Sequence, residues 1–485
     1  MDGKQRVRAC SNGKIEACSS GISARGYWVQ KSDLTESAVE ALRKELTMTP
    51  TTMSMMGGGA DERTSFPLYR ESPTRLYVPK AFGLARFGLP PPGRVTMGDG
   101  EDIPVERRRF AGTLREEQRG PIEAYMAAAL DPARQGGILS LPCGFGKTVA
   151  ALSIVSRLGK RAVVVVHKDF LLNQWRERIA EFLPDVTIGL VKAKTVDVEG
   201  RDVVLASLQS LSMKDYPDSL FAGFGMLIID ECHRVGTEVF SRALHRTVFR
   251  HSLGISATVQ RKDGMTRAFV HFLGEVVFRG KRREDEVLVV QHRFFDPDPT
   301  YSREVTIGYG GMSKPNVSRM INNISEFPAR TSAVVEAVAR MLQREPGRRV
   351  LVLSDRKCQL RAVREGLEAR GVSAGFYWGG MKREALAESE GKTAMLATFS
   401  YAAEGMDVPG LDTLVLASPK SDIEQSVGRI LRQKATERER EPIVYDFVDE
   451  FSLFERQAAK RAAFYKKHGY RVVGSLPAAA ITTAA

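Results

Sequence analysis

From Gly136 onward, short runs of Val, Ile and Leu alternate with helical patterns, and no other feature limits the fold as tightly. GGILSLP, RAVVVVH, DVVLAS, GMLIID and HSLGISA form one series. RRVLVLSD, GVSAGFYW, KTAMLATFS, LDTLVLASP and PIVYDFVD form a second. Near-continuous apolar strands separated by helices predict parallel sheets covered on both faces, so the fold class is α/β with two such units in tandem. The basic stretch FRGKRREDE and a Gly- and Pro-containing region around Tyr301 to Pro315 separate the two series.

The first 109 residues read differently. ARGYWVQK and TRLYVP are strand-like, and a short helix is expected from Lys80. Asp33 followed by Glu36 resembles a capping box, with Val39, Leu42 and Leu46 at helical spacing behind it. MTPTTMSMMGGGADE has no periodicity and reads as a flexible linker. A small α+β accessory domain is therefore expected at 1–109, ahead of 110–280, an inter-lobe segment at 281–328 and a last domain at 329–485.

Composition removes several classes. No apolar run approaches the roughly 20 residues that span a bilayer, and the polar N-terminus lacks a signal peptide's apolar stretch. The five cysteines are scattered with no CxxC pair, which argues against a zinc site or a disulfide framework. A soluble intracellular protein is expected, with no membrane partner. Lys and Arg number 71 against 58 Asp and Glu, a formal charge of +13, which favours a polyanionic partner such as nucleic acid.

Two motifs carry chemistry. GGILSLPCGFGKTVAAL is a buried strand, a glycine-bearing loop and a helix that begins at Lys147. Such a loop (Cys143, Gly144, Phe145, Gly146, Lys147, Thr148) aims backbone N–H groups at one point, where a phosphate fits at a helix N-terminus. Lys147 would reach the β- and γ-phosphates of ATP, and the Thr148 hydroxyl would bind Mg²⁺. The general pattern wants glycine where Leu141 stands, and an ordinary strand–helix turn is the competing reading. GMLIIDECH then ends an apolar strand with two acids. Asp230 is placed to hold Mg²⁺ and Glu231 to polarise water, at the strand carboxyl ends where ligands of parallel sheets gather.

The second series has no phosphate loop. In SDIEQSVGRILRQK, Ser421 with Glu424 is a capping box, and Gln425, Arg429 and Arg432 fall at i, i+4 and i+7 on one helix face. Two guanidinium groups on one stripe suit a phosphoryl group, although a solvated basic face has the same pattern. Trp175 and Trp378 read as packing residues, and Cys143 and Cys232 as small residues inside motifs.

LPCGFGKT, IIDECH, SATVQRKDG, TFSYAAEGMDVPG and QSVGRILRQK, in that order, resemble motifs I, II, III, V and VI of superfamily 2 helicases. The resemblance spans about Phe110 to Val448. It implies two RecA-like lobes with ATP in the cleft between them, and LREEQ resembles the adenine-recognition element with Arg115 and Gln118. LPCG, HKDFLLNQW and SATVQRKDG are most similar to the XPB, UvsW and poxvirus late-transcription helicase group. FYWGGMKREAL and GYWVQKSDLTESAVEALRKELTMTP resemble homologues carried by large DNA viruses.

By this resemblance Ser256 and Thr258 couple hydrolysis to movement, and Gly405 and Asp407 contact nucleotide. Gln425 belongs to the ATP site, and Arg429 and Arg432 stabilise the transition state. His167, Lys168, Ser207 and Thr398 touch the nucleic-acid backbone; Lys168 and Ser207 replace family threonines. Arg261 and Asp263 match two positions of the Arg-Glu-Asp triplet, with Lys262 in place of Glu. The expected activity is an ATP-dependent helicase or translocase, monomeric, with DNA favoured over RNA and 3′ to 5′ movement. A translocase that releases transcripts, an RNA helicase and a non-catalytic scaffold are the alternatives. The N-terminal region is left to bind duplex or branched DNA, or to recruit transcription or replication proteins.

Overall fold

The computed structural model describes residues 18–49, 65–142, 144–217, 219–234, 238–257, 259, 264–280, 286–307, 314–406, 408, 410–433 and 438–474. The chain forms two compact units, Met1–Lys281 and Arg282–Ala485.

The first unit opens with an antiparallel sheet of β1 (Ser20–Ser23), β2 (Gly26–Gln30), β5 (Arg70–Glu71) and β6 (Arg75–Val78), in the order β1-β2-β6-β5. A small pair joins β3 (Thr47–Met48) to β4 (Phe66–Pro67). The helix α1 (Glu36–Glu45) buries Val39 and Leu42 as their spacing predicts. Its cap differs from the expected Asp33–Glu36 box. The Thr35 side chain accepts the Ala38 N–H at 3.2 Å, while Asp33 accepts the Ser19 N–H at 2.9 Å and so is spent on β1.

The described part of this region packs against the larger sheet of the first unit. Tyr27, Leu42 and Leu76 belong to the same apolar core as Ile138, Val163 and Phe269. The helix α2 (Lys80–Phe87) brings the buried Lys80 ammonium to the Arg250 carbonyl at 2.5 Å and Gln135 Oε1 at 3.3 Å. Residues 18–109 and 110–280 thus pack as one unit.

Eight strands build the main sheet of this unit: β7 (Gly136–Ser140), β8 (Ala162–Val166), β9 (Ile188–Lys192), β10 (Thr195–Asp197), β11 (Val203–Ser207), β12 (Met226–Asp230), β13 (His251–Ser256) and β14 (Val276–Arg279). Their order is β10-β9-β11-β8-β12-β13-β7-β14, parallel except for the edge strand β10. Helices α3 (Glu116–Leu130), α4 (Lys147–Leu158) and α5 (Asp169–Phe182) accompany it, and apolar side chains of all three share a core with β7, β8 and β13. Because β12 and β13 lie between β7 and β8, the carboxyl ends of all four strands open on one edge, which is where ligands of open parallel sheets bind.

In the second unit β15 (Leu288–Phe294), β18 (Val350–Ser354), β19 (Ala374–Tyr377), β20 (Ala394–Thr398), β21 (Thr413–Leu416), β22 (Ile443–Asp449) and β23 (Arg471–Gly474) form a parallel sheet. The order is β19-β20-β18-β21-β22-β15-β23, with a separate pair of β16 (Thr306–Ile307) and β17 (Lys314–Pro315). The segment expected between the lobes therefore contributes β15 to this sheet. A buried ion pair anchors that end: Arg330 grips Asp449 at 2.8 and 3.1 Å, and the Tyr301 hydroxyl donates to Asp449 at 2.8 Å.

Candidate active site

Behind β7 the chain turns through Gly144 and Gly146, at φ +78° and +83°, and enters α4 at Lys147. Both angles lie in the left-handed region, which glycine enters without a Cβ penalty. The side chain of Gln118 fastens the loop. Its amide donates to the Phe145 carbonyl at 3.0 Å and the Gly146 carbonyl at 3.4 Å, and its Oε1 accepts the Arg115 N–H at 2.9 Å. Arg115 also donates to the Gly144 carbonyl at 3.3 Å. Two residues assigned by resemblance to adenine recognition thus hold the loop that sequence spacing assigned to phosphate. Thr148 lies half-buried in the first turn of α4, beside the positive end of its dipole.

Across the sheet edge, β12 ends at Asp230 and the chain bends sharply at Glu231, a non-glycine residue at φ +49°. This bend turns the Glu231 carboxylate toward Lys147, whose Nζ lies 3.0 Å from Oε1. The other oxygen is 3.2 Å from His233 Nδ1, and that nitrogen is also 2.7 Å from the fully buried Ser256 hydroxyl at the end of β13. One chain of contacts therefore joins Lys147, Glu231, His233 and Ser256. His233 is the member that sequence reading passed over, although its place two residues after Glu231 was the available signal.

Asp230 is 9% exposed. Its Oδ2 accepts the Trp175 indole N–H at 2.9 Å, and its Oδ1 accepts the Glu231 N–H at 2.9 Å. Burial, then the charge of Glu231, raises the Asp230 carboxyl above its ordinary range. Burial alone would raise Glu231 as well, but Lys147 and His233 outweigh it and hold that carboxyl low. The neighbouring Cys232 is buried and its thiol is pushed up by burial, so it packs as a small residue and offers no thiolate.

Among the described residues no group of three or more His, Cys, Asp or Glu could hold a metal ion unaided. Asp230 with the Thr148 hydroxyl suits Mg²⁺, which takes one or two carboxylates and completes its octahedron with water and phosphate oxygens. The donor set and the glycine cradle both fit a magnesium nucleotide.

The expected polymer contacts of this unit cluster on the same edge. Val166 of β8 is in register with Ser207 of β11, so His167, Lys168 and Ser207 follow one another at adjoining strand ends. Lys168 is the N-cap residue of α5 and Ser207 that of the helix Leu208–Met213. In the second unit Thr398 ends β20 in register with Ser354.

The arginine stripe differs from expectation. The helix spans only Glu424–Val427, its N-cap is Ile423, and Ser421 lies outside it. Gly428 follows directly, and glycine weakens helix continuation. Arg429 and Arg432 nevertheless meet: their guanidinium groups donate to one acceptor, the Met406 carbonyl, at 2.6 and 2.8 Å. Met406 caps the helix Phe399–Gly405, which brings the end bearing Gly405 to the segment of Gln425. Cys143, Thr258 and Asp407 lie outside the described residues, as do Arg261, Lys262 and Asp263.

Comparison with known proteins places the chain in a family. The family described as type III restriction enzyme, res subunit, matches residues 111–261, and the helicase conserved C-terminal domain matches residues 333–434. A protein of Acanthamoeba polyphaga mimivirus that bears the name of an ATP-dependent RNA helicase, L396, is 30% identical over 455 residues, covering 93% of this chain and 86% of its own. A helicase-named protein of Escherichia phage T5, D10, is 25% identical, covering 79% and 81%. Among solved structures, Dbp5 of S. cerevisiae bound to RNA and ADP BeF3 aligns with a TM-score of 0.51 at 13% identity, covering 74% of this chain and 94% of its own, a likeness of fold. The chain belongs to the superfamily 2 helicases, ATP-hydrolysing enzymes that act on nucleic acid, among relatives from large DNA viruses and a bacteriophage.

Proposed function

We propose that this chain is an ATP-driven motor that moves along or unwinds nucleic acid, with DNA as its main polymer. The observation that carries the reading is the Lys147–Glu231 contact of 3.0 Å beside Asp230, below a loop shaped for phosphate. When nucleotide enters, Lys147 leaves Glu231 for the phosphates, and the freed carboxylate orients the attacking water. Bound Mg²⁺ supplies Lewis-acid neutralisation of the phosphate oxygens, with Asp230 and Thr148 to hold it. His233 passes the change at Glu231 to Ser256. Arg429 and Arg432 supply the guanidinium charge that meets the developing phosphoryl charge, an effect of roughly 10³–10⁵ in rate. Cys143, Gly405, Asp407 and Gln425 complete the nucleotide contacts, and Thr258 shares the coupling role of Ser256.

His167, Lys168, Ser207 and Thr398 hold the polymer by its backbone, so binding tolerates sequence and weakens with salt. The excess of positive charge suits a polyanion of either kind, and it is the motif resemblance to the XPB, UvsW and poxvirus late-transcription helicase group that favours DNA. The name of the mimivirus relative favours RNA as the second reading.

The test is steady-state ATP hydrolysis by wild type and Glu231→Gln, each without polymer, with single- and double-stranded DNA, and with RNA. Stimulation by DNA that the variant lacks is the expected result. Stimulation by RNA alone would move the assignment to the second reading, and unchanged turnover in the variant would sink the role of Glu231. Strand displacement then separates unwinding from movement without it.

A further inference from the structure

We infer that Trp175 is a positioning residue: it aims the Asp230 carboxylate at the metal and makes that aim respond to the polymer-contacting end of α5. The inference rests on the function proposed above and adds a residue to it. Trp175 is 1% exposed and packs among the aliphatic side chains around β7, β8 and β13. Packing there requires only an apolar ring. What distinguishes tryptophan is the N–H, and it is delivered to Asp230 Oδ2 at 2.9 Å.

The backbone N–H of Glu231 takes Oδ1 at 2.9 Å. Each carboxylate oxygen thus has its own donor, and the plane of the carboxylate is set by two groups from different elements. A carboxylate this buried is costly unless hydrogen-bonded, so losing either donor loosens its geometry as well as its charge balance. Outer partners of metal-binding groups act in this way, and their loss costs about 10- to 100-fold in metal affinity.

The position of Trp175 along the chain gives the second half of the inference. Lys168 is the N-cap residue of α5, and Trp175 lies seven residues further on the same helix, about 10 Å of rigid rod at 1.5 Å per residue. Asp169, the first residue of α5, is also tied by a 3.0 Å ion pair to Lys192 at the end of β9. Because the helix is stiff over that length, a shift of the α5 N-terminus when Lys168 engages a phosphate carries the indole with it, and the ion pair to β9 limits how far it goes. Asp230 is fixed to the sheet through β12, so the shift changes the angle of the one bond between them. Polymer binding is read at the metal site through a single N–H.

The test uses the full chain with ADP and Mn²⁺ as the probe, free Mn²⁺ being measured by electron paramagnetic resonance with and without single-stranded DNA. Trp175→Phe keeps a ring and removes the donor. Replacement of Trp175 by β-(3-benzothienyl)alanine keeps the bicyclic shape and removes only the N–H, which guards against a folding defect. Wild type is expected to bind Mn²⁺ more tightly with DNA than without. Both variants should bind Mn²⁺ about 10-fold or more weakly, lose the DNA effect, and keep the affinity for DNA itself. In turnover, kcat should fall while KM for ATP holds. Wild-type Mn²⁺ affinity and DNA response in the benzothienyl variant would overturn the inference while leaving the proposed function standing. Wild type that shows no Mn²⁺ binding with ADP would overturn both.

Discussion

Gly146→Ala tests the phosphate cradle with a cost that can be worked from the structure. Gly146 stands at φ +83° and ψ +44°, where an L side chain is strained by roughly 1–2 kcal/mol. An added Cβ would lie 2.3 Å from Gln118 Nε2, so the amide must swing away and give up its bonds to the Phe145 and Gly146 carbonyls. Each such bond contributes about 1 kcal/mol net. If the loop relaxes when empty and is forced back by nucleotide, about 3–4 kcal/mol appears as lost affinity, or about 150- to 900-fold. Gly200→Ala is the matched control: φ is +65°, and nothing lies within 4 Å of the new Cβ. It carries the left-handed strain alone and should lower the melting temperature by a few degrees with no change at the nucleotide site. Titration of a fluorescent ATP analogue with Mg²⁺ reads both variants. Gly146→Ala within about threefold of wild type would refute the cradle, because that gap is under 1 kcal/mol. Equal loss in Gly200→Ala would refute the assignment of the effect to Gln118.

The same geometry leads to other outcomes. Arg432→Ala should slow hydrolysis about 10³-fold or more with nucleotide affinity little changed; a variant that retains turnover in single-turnover assays removes the guanidinium role. Burial lowers the Lys80 ammonium to about 7 from an ordinary 10.5. The unfolded chain therefore holds more protons between those values, so this residue's contribution to stability rises with pH from about 7 toward 10.5 and is lost as pH falls. Lys80→Met should accordingly gain most over wild type below pH 7, with a gap that narrows toward pH 9.5 in calorimetric scans; a constant gap would contradict the burial effect. Arg330→Ala leaves Asp449 buried without its 2.8 and 3.1 Å partners and should cost about 3–5 kcal/mol. Chemical denaturation that shows under 1 kcal/mol would mean that water enters the site.

The central strands were legible because strands buried on both faces are written as near-continuous apolar runs, as β8, β11, β12 and β18 are up to their last residue. The phosphate loop and the Asp230–Glu231 pair were legible for a related reason: each is contiguous, so a backbone turn and the residues it presents are specified together. Two strands at or next to the edge of the first sheet were not. β9 alternates between buried and half-buried positions and β14 is half-buried to exposed throughout, so neither has the pattern of a central strand. Local spacing also misjudged two helix starts: Asp33 accepts the Ser19 N–H while Thr35 caps α1, and Ile423 rather than Ser421 is the N-cap residue of the helix that ends before Gly428.

The apolar periodicity and the motif residues by themselves determined an α/β chain with two parallel sheets and a phosphate loop in the first. Tertiary structure alone decided which side chains would share a site. Lys147 reaches Glu231 across 84 positions of sequence, Trp175 reaches Asp230 across 55 and His233 reaches Ser256 across 23. Those meetings depend on β12 and β13 lying between β7 and β8. Strand order is set by how helices cross over and pack on the sheet, and no periodicity within a single strand or helix encodes it.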